Sequence, residues 1–207
     1  MRTSMAQRPN MEHTALFLCD MQEKFRSPVI HEFDAAVDTS RLLLQIARDN
    51  GGQIILATGA LLGLDAVRAA AEGEIHDVTM ITRKPPFSLN GAPYLEEHDI
   101  SIENLDEPLK VFEGTAREGA AGFPANVNVA AALGLAGIGV DRTKLQIWAD
   151  PALDRNTHRI EVEADSARFS LSIENVPSDE NPGTGKITAL SVIAALRGLT
   201  VPLKVGT

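Results

Sequence analysis

The chain alternates between two hydrophobic periods, and the switch between them marks out its elements. Thr14 to Asp20 is an apolar run ending in a carboxylate, as in a fully buried strand of a parallel sheet. Asp34 to Arg48 follows with Ala35, Val37, Leu42, Leu43, Ile46 and Ala47 at helical spacing. Asn50-Gly51-Gly52 stops that helix, and Gln53 to Ala57 reads as a second strand that completes a truncated β-α-β unit and ends in a turn at Gly59-Ala60. Leu64 to Glu72 predicts a short alanine-rich helix. Asp77 to Arg83 predicts a strand that Pro85-Pro86 must terminate. Ser88 to Asp106 has no clear period and reads as a surface loop.

Period returns at Val111 to Glu113, a strand, and at Thr115 with Glu118, a capping-box signature for a short helix stopped by Gly122 to Pro124. Asn128 occupies an N-cap position ahead of a small-residue helix, Val129 to Ala136, closed by Gly137. The last third alternates strictly. Leu145, Ile147 and Ala149 share one face, Ile160, Val162 and Ala164 another, and Phe169, Leu171 and Ile173 a third, predicting three strands of an antiparallel sheet with one face covered. Thr184 to Arg197 closes the chain as an amphipathic helix, with Ile187, Leu190, Ile193, Ala194 and Leu196 toward the core. The class is mixed α/β: a mixed, largely antiparallel sheet covered by helices, behind the amino-terminal unit.

Charge narrows the partners. Of 207 residues, 28 are acidic and 19 basic, and the net charge of -9 repels nucleic-acid phosphates and anionic membranes. Cys19 is the sole cysteine, so no intramolecular disulfide forms, and a reducing cytoplasmic setting is expected. No apolar stretch reaches eighteen residues, which argues for a soluble chain, with Met1 to Asn10 as a leader.

Among ionisable groups His158 is the most informative, because counting by two puts it in phase with Ile160, Val162 and Ala164 while Arg159, Glu161 and Glu163 point away. An inward imidazole suits a general acid or base. A hydrogen-bonded structural histidine fits the same pattern. Asn126 and Asn128 stand before a helix, where amides and unpaired N–H groups hold a polar ligand or simply cap. Thr58-Gly59-Ala60 lies where open α/β sheets bind ligands. Gly183-Thr184-Gly185-Lys186 fails the phosphate-loop spacing because Glu180 takes the first glycine position, and Gly137-Ile138-Gly139 lacks the third glycine of a dinucleotide fingerprint. Asp20, with Gln22 and Lys24 nearby, is a further carboxylate candidate. His13, His31, His76 and His98 have no ligand-like spacing, so no metal is expected.

Seven ordered peptides carry a resemblance: 57-ATGALLGLD-65, 82-TRKP-85, 112-FEGTARE-118, 123-FPANVNVAA-131, 149-ADP-151, 156-NTHRI-160 and 181-NPGT-184. Together they resemble the carboxy-terminal catalytic domain of the L-aspartate dehydrogenase family, over residues 51–207. The resemblance implies NAD- or NADP-dependent oxidative deamination of L-aspartate to iminosuccinate, then oxaloacetate and ammonia. It implies His158 as the active-site histidine and Ala60 and Asn128 as cofactor contacts, with Lys84 holding a substrate carboxylate. It also implies a homodimer or larger assembly formed through the sheet.

Residues 1–50 depart from that family, which opens with a complete dinucleotide-binding domain. Leu16 to Arg26 instead resembles the start of an isochorismatase-like hydrolase, in which Asp20 matches a catalytic aspartate, but no cysteine follows Cys19 to serve as nucleophile. Loss of the phosphate-binding half weakens cofactor binding, so a catalytically silent oligomerisation or binding module is the alternative, and a hydrolase the third. Gly185, where the family has a serine, and Asp165 to Arg168, where it has glycines, are smaller departures.

Overall fold

A computed structural model describes residues 33–124, 128–179 and 184–206. The strand expected at Thr14 to Asp20, together with Cys19, Asp20 and Asn126, lies outside the described residues.

A long helix, α1 (Phe33–Asp49), opens the described chain. Gly51, at a φ of 66°, ends it, with the Gly52 N–H donating to the Ala47 carbonyl at 2.7 Å. The strand expected at Gln53 to Ala57 is not formed, and Ile54, Ile55 and Leu56 are exposed in irregular backbone. An apolar run becomes a strand only when a neighbour completes its ladder, and no described strand lies beside this one.

Thr58 to Leu61 makes the expected turn around Gly59, and Gly63 leads into α2 (Leu64–Ala70). β1 (Ile75–Lys84) runs up to Pro85, after which Pro86–Leu89 forms a 3-10 turn and Pro93–Glu97 forms α3. The surface loop expected here is partly core: Leu89, Ala92, Leu95 and Ile102 are buried. Short proline-initiated turns present apolar residues inward without any regular period, which is why the pattern hid them. β2 (Leu109–Thr115) leads into α4 (Ala116–Gly122), whose capping box forms in full between Thr115 and Glu118. After α5 (Asn128–Ala136) come β3 (Lys144–Ala149), β4 (Thr157–Ala164), β5 (Arg168–Glu174) and α6 (Lys186–Gly198).

The sheet order is β2-β3-β1-β4-β5. β1 and β3 pair in parallel and the other three ladders are antiparallel. The three late strands are therefore not one contiguous antiparallel unit, because β1 inserts between β3 and β4. Local alternation specifies which face each strand buries; it does not specify strand order, which long-range pairing decides.

One face of the sheet carries Val78, Met80, Leu145, Ile147, Ile160 and Val162, all at most 2% exposed. The short helices lie on this side: α2 packs against α5, and α4 against α5, α3 and β2. On the opposite face a shallow concavity is lined by Ile81, Arg83, Gln146, Trp148 and Arg159, with the Arg83 guanidinium 5.2 Å from the Trp148 ring centroid. α6 departs from its expected role as a buried cover: no residue of it is buried, and Leu190, Ile193 and Leu196 stay open to solvent. No described helix is long and apolar enough to cross a membrane.

Candidate active site

β1 and β3 are parallel, so their carboxyl ends finish side by side, with Lys84 opposite Ala149 and the Asp150 N–H donating to the Lys84 carbonyl at 2.8 Å. β4 is antiparallel to β1 and begins at that same end, while β5 finishes there. Four strand termini thus meet at one edge of the covered face. Crevices at the carboxyl ends of parallel strands are where open α/β sheets bind ligands.

Three of these termini, on β1, β4 and β5, replace the apolar residues of the inward face with polar ones, while β3 keeps Ala149 there. On β1 the phase of Val78 and Met80 continues into Thr82 and Lys84; on β4 the phase of Ile160 and Val162 reaches back to His158; beyond β5 the phase of Leu171 and Ile173 continues to Asn175. Thr82, Lys84, His158 and Asn175 are all buried, and Asp150 is buried beside them. Polar groups removed from water at this density need partners or a purpose.

His158 sits opposite Thr82 on β1 and opposite Ile173 on β5. Its Nδ1 lies 3.2 Å from the Thr82 hydroxyl oxygen. Burial pushes its pKa down to about 3, and the nearby Lys84 ammonium adds to the effect. The ring is therefore neutral at every ordinary pH. Burial likewise lowers Lys84 to about 8, which brings its charge within reach of mildly alkaline conditions. Asp150 accepts from the Ala152 N–H at 3.0 Å and lies 3.5 Å from Arg83, so its carboxylate folds back onto its own loop.

The Gly59-Ala60 turn is fastened to the same edge from two sides. The Gly59 N–H donates to the Ser191 hydroxyl of α6 at 3.0 Å, and the Asn175 amide donates to the Ala60 carbonyl at 3.3 Å. The Asn175 N–H in turn donates to the Asn156 carbonyl at 3.0 Å, continuing the β4–β5 ladder two residues from His158. Gly63, at a φ of 73°, brings the chain so close to β5 that an added Cβ would fall 1.9 Å from Leu171 Cδ1. Asn128, the other expected cofactor contact, is exposed as the first residue of α5, the helix that packs against α2.

Sequence reasoning singled out His158, Lys84 and Ala60 but passed over Thr82 and Asn175. The signal that finds them is the one that found His158: a polar residue in the inward phase at the end of an otherwise apolar strand face. Among the described residues no group of three or more His, Cys, Asp or Glu side chains is placed to hold a metal ion.

Fold and site together define a mixed α/β domain with a buried polar cluster where its parallel strands end. Residues 65–199 match the family model described as aspartate dehydrogenase, C-terminal, and the chain belongs to this family. It is 67% identical over 165 residues to an L-aspartate dehydrogenase of Bradyrhizobium diazoefficiens, covering 80% of this chain and 59% of that one. With the L-aspartate dehydrogenase of Methanosarcina mazei the identity is 45% over 165 residues, 80% of this chain and 61% of the relative. The crystal structure of aspartate dehydrogenase from Thermotoga maritima superimposes with a TM-score of 0.65 at 27% identity, over 83% of this chain and 63% of that one. The chain thus spans about three fifths of the length of the curated relatives it matches.

Proposed function

We propose that residues 51–207 form the substrate-handling domain of an L-aspartate dehydrogenase, working with NAD or NADP in the cytoplasm, and that residues 1–50 are a separate amino-terminal segment. The observation that carries this reading is the convergence of His158, Lys84 and the Ala60 turn on one sheet edge, in a chain whose relatives are named for this activity.

A nicotinamide cofactor, when bound, would supply the acceptor for the hydride that leaves the substrate Cα. Ala60 lies on the turn expected to receive the cofactor, and the Asn175 amide fixes that turn by donating to the Ala60 carbonyl. Ala60 and Asn128 would hold the cofactor, with Asn175 fixing the Ala60 turn. Lys84 binds a carboxylate of L-aspartate, since an anion placed against a buried ammonium restores its charge. His158 orients the amino-bearing carbon. Overall, L-aspartate and oxidised cofactor give iminosuccinate, reduced cofactor and a proton; water then replaces the imine to give oxaloacetate and ammonia. We assign the assembly as a homodimer or larger, formed through the sheet.

Purified chain incubated with L-aspartate and each cofactor at alkaline pH, followed by absorbance of the reduced nicotinamide, tests this directly. Aspartate-dependent reduction of one cofactor supports the reading. One feature favours a second reading, a silent oligomerisation module: Ile54, Ile55 and Leu56 stay exposed, as an apolar surface made for a partner would. Titration with NADH fluorescence separates the two, because the silent module gives no saturable signal at millimolar cofactor.

A further inference from the structure

We propose that Thr82 is a positioning residue that donates its hydroxyl proton to His158 Nδ1, so that His158 meets the substrate as an Nε2–H donor and not as a base. This rests on the assignment of His158 to the aspartate site. The two groups are 3.2 Å apart, Thr82 is fully buried, and His158 is 5% exposed.

The direction of the bond follows from what each arrangement leaves unmade. Nδ1 is the hydrogen-bond partner of the Thr82 hydroxyl among the described residues. Were Nδ1 protonated and donating, the Thr82 O–H would be a buried donor with nowhere to go, the more costly of the two arrangements. With Thr82 donating, the hydroxyl oxygen forgoes only acceptance, which proteins tolerate more readily. The proton of the neutral ring then belongs on Nε2. That nitrogen makes no hydrogen bond among the described residues, nor is it one of the sealed, unpartnered side-chain atoms, so it is the ring's open face.

The charged neighbours agree with this assignment. On β1 the inward groups beside His158 are Thr82 and Lys84; on β5 the facing residue is Ile173, which cannot accept a proton; Asp150, past β3, is held by Arg83 and its own loop. No described carboxylate is thus paired with the ring to draw a second proton onto it. A neutral N–H donor suits an oxidation that ends in an oxoacid: it steadies negative charge on a substrate carboxylate or on the oxygen that replaces the imine, and it does not compete for the amine's own proton.

The test uses the full chain labelled with nitrogen-15 histidine and a long-range proton–nitrogen correlation at neutral pH, His158 being identified by its loss in His158→Gln. The expected spectrum has a pyridine-type Nδ1 and a protonated Nε2. In Thr82→Val the Nδ1 resonance moves toward that of a nitrogen free of hydrogen bonds, and Thr82→Ser restores it. A protonated Nδ1 in the unsubstituted chain overturns the proposal even if Thr82→Val fails to fold. So does an Nδ1 shift that Thr82→Val leaves unchanged in a folded protein. The tautomer is read without substrate, so its failure is separate from that of the aspartate reading. An expected tautomer whose Nε2 signals ignore added L-aspartate, with both cofactors present, counts against the aspartate assignment and leaves the Thr82 bond standing.

Discussion

Thr82 and His158 face each other across the β1–β4 ladder, and their side chains close a 3.2 Å contact on the buried side of the sheet. Two residues further along β1, Lys84 occupies the same face. A neutral imidazole and an easily discharged ammonium therefore share one desolvated corner, and each leaves a thermodynamic signature.

For His158 the folded-state pKa of about 3 lies below the ordinary 6.5. Between these values the unfolded chain holds the extra proton, so native stability falls as the solution is acidified from 6.5 toward 3. Each pH unit within that window costs about 1.4 kcal/mol from this group. Denaturant titrations at pH 6.5 and 5 are expected to show a loss of about 2 kcal/mol that His158→Gln largely removes. An equal loss in the variant would show that the ring titrates normally.

Lys84 gives the mirror case at alkaline pH. Its folded pKa of about 8 lies below the ordinary 10.5, so the unfolded chain again binds more protons between those values and stability rises with pH across them. Lys84→Met removes the buried charge and is expected to stabilise the protein at pH 7 by on the order of 1–3 kcal/mol while flattening that rise. The same substitution should raise KM for L-aspartate by at least tenfold with a smaller change in kcat. Stability and KM both unchanged would remove Lys84 from the site.

Part of this arrangement is legible in the sequence. The capping box at Thr115 and Glu118, the stop at Gly51 and the inward phase of His158 are local signals, and each has a local physical cause. Thr82 and Asn175 carried the same signal as His158, but a single threonine or asparagine at a strand end looks like ordinary turn chemistry until its cross-strand neighbour is known. Ile54 to Leu56 reads as a strand because strand propensity is local, whereas the ladder that makes a strand is not. The insertion of β1 between β3 and β4 depends on pairing across some sixty residues of chain, as Thr79 opposite Lys144 illustrates, and no window of sequence contains it.

Gly63 fastens the Ala60 turn to the sheet through a backbone that only glycine adopts without strain. Gly63→Ala combines a positive φ with a contact on Leu171 Cδ1 and is expected to cost about 1–3 kcal/mol, measured by thermal or denaturant unfolding. Because the same turn carries Ala60, cofactor affinity should fall as well. A fully stable variant would mean that the turn can lift away from β5.

The decisive measurement is kcat/KM for L-aspartate in the unsubstituted chain and in His158→Ala, each checked for an intact fold. Aspartate-dependent cofactor reduction that falls by about 100-fold or more in the variant is the predicted result. Equal kcat/KM in the two proteins would contradict the assignment of His158 as the residue on which this site turns.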